Sequence, residues 1–197
     1  MSIDPAALDA LPAWLLFAAL PLVLATCTAF TKVSVVLSAL RIALGAEVLL
    51  PWTAIAALSL VLTAVVMAPV ALMVAAGYQA TGGVGPEIFD PLLQFLVRHA
   101  DGSELRFFAD VQSLAADHPL VVIPAFLVTE LTEALHMAVV ILLPFAVVDL
   151  LIAQIFALLG FPGQPLSTVN LPLKVLLFLA IGGWGVVIGG LLDGYVR

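Results

Sequence analysis

Residues 120–160 read LVVIPAFLVTELTEALHMAVVILLPFAVVDLLIAQIFALLG, a run in which only Glu130, Glu133, His136 and Asp149 carry ionisable side chains. The spacing and composition predict helix, since Leu, Ala, Val and Ile dominate and strand alternation is absent. As one helix the run would reach about 60 Å at about 1.5 Å per residue, roughly twice the hydrocarbon thickness of a bilayer. Pro124 and Pro144 each remove a backbone donor. The reading is therefore an all-α integral membrane protein whose long apolar segment is broken or V-shaped.

Working outward, residues 11–30, 51–76 and 171–192 are also apolar and of membrane length, giving about four hydrophobic segments. Composition agrees: 64% of the 197 residues are hydrophobic and 10% are charged. Soluble domains carry about 45–50% apolar and about 25% charged residues. The chain is read as one membrane domain over residues 1–197. Before Leu11 stand Asp4 and Asp9 but no basic residue, and the apolar run that follows exceeds a signal h-region, so a retained helix is expected.

A formal charge of −7 with only six Lys and Arg excludes nucleic acid as a partner and disfavours anionic headgroups. The single Cys27 excludes an internal disulfide and reads as a small buried hydrophobe. Orientation follows from the connections. Lys32, Arg41 and Lys174 mark two cytoplasmic sides, and the acidic residues 77–119 suit the opposite, periplasmic face, as do both termini. That outer segment is expected to hold two amphipathic helices, with a turn at Asp101-Gly102-Ser103 capping a helix over 104–115.

Four constellations could carry function. In FTKVSVVLSALRIALG, Thr31, Ser34, Ser38, Arg41 and Gly45 fall on one narrow helix face; such small and hydroxyl residues in lipid drive helix association. No base or orienting group accompanies the serines, so a nucleophile is not read there. Glu130, Glu133 and His136 share one helix side, yet a single Glu-x-x-His step falls short of a di-metal bundle or a three-ligand zinc site; no metal or cofactor is expected.

Asp149, Gln154 and Lys174 form the third group. An ionisable group at membrane depth costs about 2.5–3.5 kcal/mol, so Lys174 is expected to pair with Asp149 or Glu130, or else to snorkel beside Pro172. The fourth is the glycine content of the last helix, where Gly185 to Gly189 and Gly190 to Gly194 are close-packing steps that imply neighbouring subunits.

Taken in order, FTKVSVVLSALRIALG, VVMAPV, LVTELTEALHMAVVILLPFAVVDLLIAQIFALLG and VNLPLKVLLFLAIGGWG make the chain similar to the FliP/SctR family from about Phe30 to Tyr195, with ILLPFAVVDLLIA and NLPLKVLLF the most specific blocks. The resemblance implies a non-enzymatic core subunit of the inner-membrane export gate of a type III secretion system, flagellar or injectisome. It implies a homo-pentamer of helical-hairpin subunits joined by FliQ/SctS-type and FliR/SctT-type subunits, standing largely above the membrane plane. Unfolded substrates pass through, driven by an ATPase and the proton-motive force elsewhere in the machine. The lack of a basic leader leans toward the injectisome branch.

Carried over by position, the family's Ser-Glu-Leu matches Thr129-Glu130-Leu131, its aspartate matches Asp149, its Leu-Pro-x-Lys matches Leu171-Pro172-Leu173-Lys174, and its arginine before Ala-Leu-Gly matches Arg41. Arg41, Glu130, Asp149 and Lys174 are thereby read as buried ion pairs or assembly residues, and Ser34, Ser38, Gly185 and Gly189 as packing positions. Three departures stand out. Thr132 replaces a family lysine, Gly182-Gly183-Trp184 replaces Asp-Gly-Trp, and Gly160-Phe161-Pro162-Gly163-Gln164-Pro165 replaces a methionine-rich gasket at the pore. The pore constriction is accordingly assigned to Phe161, Pro162, Gly163, Gln164 and Leu166. A competing reading is a small transporter or ion channel with Glu130, Glu133, His136 and Asp149 as a relay; an intramembrane enzyme built on Glu133 and His136 is a third.

Overall fold

The apolar segments become helices because nothing in lipid could satisfy an extended backbone. The computed structural model describes residues 13–81, 86–160 and 167–196. Within them the order is α1 (Ala13–Cys27), α2 (Phe30–Leu44), α3 (Trp52–Thr81), a 3-10 turn (Pro86–Phe89), α4 (Asp90–His99), α5 (Gly102–Gln112), α6 (Pro119–Leu158), α7 (Ser167–Ala180) and α8 (Gly183–Val196). No strand occurs among the described residues, and the protein is all-α. Helices α3 and α6 are each long and apolar enough to cross a membrane. Two further spans arise if α1 with α2, and α7 with α8, each count as one broken crossing.

The long segment that decided the reading corrects it. Helix α6 runs unbroken for 40 residues through both Pro124 and Pro144. Each proline deletes one N–H and leaves the carbonyl four residues earlier without its helix donor; for Pro124 that carbonyl, Leu120 O, accepts instead from Gln112 Nε2 at 2.9 Å.

Breaks fall instead in the first and last segments, and in the last α7 and α8 meet at a 63° bend. Gly182 there has φ +66°, a conformation that costs an L-residue about 1–2 kcal/mol. Its amide donates to Leu179 O at 3.1 Å, closing the end of α7. At Gly183 a Cβ would lie 2.2 Å from the ring of Phe178, which stands edge-on to Trp184 at 5.4 Å. Neither glycine tolerates a side chain, for two different reasons.

By contact the chain divides into two compact units, one of residues 1–31 and 61–132, the other of residues 32–60 and 133–197. Each is assembled from two separated stretches, so the division is not between successive domains. In the first unit, Cys27, Leu96, Val122 and Phe126 form a buried cluster flanked by Leu92, Leu93, Phe95 and Leu105. The amphipathic helices α4 and α5 thus place their apolar stripes on the start of α6. Cys27 is a free, buried thiol.

Helix α5 starts two residues earlier than the sequence suggests. Asp101 is its N-cap, accepting from Ser103 N at 2.7 Å, and Asp101 N donates to Thr129 Oγ1 at 2.9 Å. It ends at Gln112, short of residue 115, because Ser113 turns left-handed at φ 53°.

Candidate functional site: two lysine-centred knots

The chain has two lysines, Lys32 and Lys174, and both are buried in the second unit, at 1% and 6% exposure. Each is paired with a carboxylate of α6. An ammonium removed from water needs such a partner, since its isolated burial costs several kcal/mol.

Lys174, on α7, donates to Asp149 Oδ2 at 2.6 Å and to Ala43 O on α2 at 2.9 Å. The other oxygen of Asp149 accepts from Asn170 Nδ2 at 2.8 Å. Of the two partners considered for Lys174, the structure brings Asp149 to it, and the side chain is enclosed instead of snorkelling. Asp149 remains 44% exposed. It opens onto a groove of about 470 Å³ with Leu44, Val48, Thr168 and Leu171 on its walls. Asn170 Oδ1 is buried there without a hydrogen-bond partner among the described residues.

Lys32, on α2, pairs with Glu133 Oε2 and lies 4.6 Å from the ring centroid of Tyr195 on α8, a cation–π arrangement. A Cβ on Gly194 would stand 3.0 Å from its Nζ, so the glycine admits the ammonium against α8. This knot is absent from the sequence reading, which took Lys32 as an orientation marker and Glu133 as a metal candidate. A signal was there: Val36, Leu40 and Ala43 recur at helical spacing from Lys32, which puts the lysine on the apolar face. Lys32 and Ala43 are 11 residues apart, about 20° round the helix, so one face of α2 serves both knots.

The remaining candidates separate. Arg41 is half-buried and pairs with no carboxylate among the described residues; its Nε donates to Leu50 O at 2.6 Å and its Nη2 to Glu47 O at 3.2 Å, tying down the loop that follows α2. Glu130 is 2% exposed on α6. Ser34 and Ser38 are half-buried, while the core of α2 is Val33, Val36, Leu37 and Leu40. Gly185 and Gly189 face open space, whereas Gly190 and Gly194 approach Met137 and Lys32. The second G-x-x-x-G step is thus used inside the chain and the first is left on its surface. Phe161, Pro162, Gly163, Gln164 and Leu166 lie outside the described residues. No group of three or more His, Cys, Asp or Glu is placed to hold a metal ion among the described residues.

These knots join α2, α6, α7 and α8, of which α6 and α7 carry the most specific blocks, and the profile of the FliP family matches residues 14–191. The chain belongs to the FliP family. Relatives cover nearly all of it. The virulence protein YscR of Salmonella typhimurium is 31% identical, over 99% of this chain and 100% of the relative. The hypersensitivity response secretion protein HrcR of Ralstonia nicotianae is 34% identical, over 90% and 92%. The flagellar biosynthetic protein FliP of Caulobacter vibrioides is 32% identical, over 90% and 72%. The two ion pairs, Lys32 with Glu133 and Lys174 with Asp149, fall within the range matched by the FliP profile.

Proposed function

We propose that this chain is a core subunit of the inner-membrane export gate of a type III secretion system, building with sibling copies the passage through which unfolded proteins leave the cytoplasm. The observation that carries the reading is the family match across nearly the whole chain, with relatives named for secretion, virulence and flagellar biosynthesis. The surface supports it. In the most apolar stretch of α6 only 11% of the residues are buried within the chain, leaving a face for lipid or neighbouring subunits. Gly185 and Gly189 add an open close-packing step for a neighbour.

The transporter reading loses ground, because Glu133 and Asp149 of its relay are each engaged by a lysine. In the proposed gate these residues set the packing of α2, α6, α7 and α8. The protein is a non-catalytic component with no cofactor, and its partners are further copies of itself, in a pentamer, with FliQ/SctS-type and FliR/SctT-type subunits. Phe161 and Leu166, with Pro162, Gly163 and Gln164, line the constriction, and residues 77–119 face the periplasm.

Gentle extraction followed by native mass spectrometry tests the assembly: the chain is expected in a multi-copy complex with one small and one larger kind of partner. A lone, solute-transporting homo-oligomer would overturn the reading. Phe161→Ala is expected to make the opened gate leaky to ions, and unchanged permeability would remove Phe161 from the seal.

A further inference from the structure

The groove of about 470 Å³ beside the second knot lies wholly within the second unit, and its polar end is made of acceptors. An ionised carboxylate can only accept, so Asp149 turns the amide of Asn170 with Nδ2 toward itself and Oδ1 away. That Oδ1 is sealed from water and takes no hydrogen bond among the described residues. A buried acceptor left without a donor is a cost that an arriving donor removes. Asp149 also has capacity to spare. Its Oδ1 has taken Asn170 Nδ2 and its Oδ2 has taken Lys174 Nζ, and each oxygen has room for a second donor. Lys174 itself is 6% exposed, with protons directed at Asp149 and at Ala43 O, whereas Asp149 is 44% exposed. The open face of the groove therefore presents carboxylate and not ammonium.

The walls narrow the choice of guest. Leu44, Val48 and Leu171 line the groove beside the acceptors, and Val48, in the connection from α2 to α3, is 92% exposed at its rim. Apolar walls that lead to an acceptor-rich end match a side chain with an apolar stem and a cationic head. Arginine suits this end better than lysine. Its planar fork sets two parallel N–H groups on a carboxylate and keeps further donors for an amide oxygen.

The second unit has no such group to lend to another copy. Lys32 and Lys174 are buried in the knots, and Arg41 is held by Leu50 O and Glu47 O. In the first unit, Arg106 Nε donates to Gly102 O. A chain of formal charge −7 also gains more from a basic partner than from a second acidic copy.

We propose that this groove is a socket for an arginine of a different subunit, with the guanidinium on Asp149 and Asn170 Oδ1 and the stem against Leu44, Val48 and Leu171. The inference rests on the multi-subunit reading above and names the chemistry of one contact within it.

The test uses the complex extracted with its partners. A photo-crosslinking residue, Val48→p-benzoylphenylalanine, is expected to join the rim to an arginine-bearing peptide of a different subunit, identified by mass spectrometry. Thr168, exposed on the same groove and outside the knot, then separates charge from bulk. Thr168→Lys puts a cation into the socket and is expected to lower retention of that partner by about tenfold, while Thr168→Gln retains it. Replacing the crosslinked arginine by glutamate is expected to restore retention by the lysine variant. A crosslink to Arg98 or Arg197 of a second copy, no crosslink within an assembled complex, equal retention by the two Thr168 variants, or a lysine variant that the glutamate leaves unrescued would each overturn the socket. A chain that extracts without any partner would overturn the multi-subunit reading itself.

Discussion

The first unit is closed by apolar volume and the second by charge. Around Leu96, Val122 and Phe126, three side chains at 1% exposure or less pack against helices that carry a polar outer face. Around Lys32 and Lys174, helices that are apolar on most sides are held by two ion pairs and by glycines. The difference follows from the solvent available to each helix. An amphipathic helix gains by hiding its apolar stripe from water, about 25 cal/mol per Å². A helix apolar all round gains little of this by choosing one apolar neighbour over another, so polar pairs and close backbone approach decide its register.

The largest effect is expected where volume is removed from the first unit. Phe126→Ala should cost about 3–5 kcal/mol, read as lost hydrogen-exchange protection in α4, α5 and the start of α6. Equal loss throughout residues 133–197 would break the contrast, since it would make the two units one cooperative body.

In the second unit the lesion should depend on which partner is removed. Glu133→Ala takes the carboxylate from an ammonium that is 1% exposed, and should cost on the order of 3 kcal/mol, at the low end for a broken buried pair. Lys32→Met should cost less, because Glu133 is 52% exposed and water can take over the carboxylate. A Lys32 variant less stable in thermal unfolding than the Glu133 variant would contradict this account. For the other knot, exchanging Lys174 and Asp149 should recover part of the assembly lost in either single reversal; a dead double swap would show that Ala43 O and Asn170, which the swap leaves mismatched, matter more than the charge pair.

A smaller effect sharpens the role of backbone. Gly182→Ala must hold alanine at positive φ, which costs about 1–2 kcal/mol and should shift the emission of the neighbouring Trp184. An unshifted spectrum with unchanged stability would mean that the bend between α7 and α8 survives without glycine.

The smallest concerns the α5 cap. The Ser103 hydroxyl and amide beside Asp101 hold its carboxyl below the ordinary value of 3.8. A lowered pKa means that the ionised cap stabilises the folded form above that value and that this contribution fades as pH falls through the lower folded one. Protection of the first turn of α5 should therefore persist from neutral pH to the ordinary carboxylate range and weaken only below it. Asp101→Asn should show a flat profile; an equally steep one would assign the loss to another group.

Much of this was legible in the residues. Helical class, membrane character and family follow from composition and from blocks such as ILLPFAVVDLLIA, because apolar content and helical spacing are local properties. The Asp101 cap was legible for the same reason, as its partner lies two residues away. The Lys174 partner was narrowed to two acids, and the Lys32 knot was missed, because Glu133 is 101 residues distant and Tyr195 farther still.

Prolines and glycines mark the same limit. By itself the sequence determined that Pro124 and Pro144 each delete a donor and that Gly182 and Gly183 permit what other residues do not. Only the tertiary structure decided that α6 continues through its prolines while the last segment bends at its glycines. The physical reason is that a missing hydrogen bond is a local cost, but whether a helix bends there depends on what its neighbours can satisfy and fill. Lys32 against Gly194 is a contact that no single stretch of chain contains on its own.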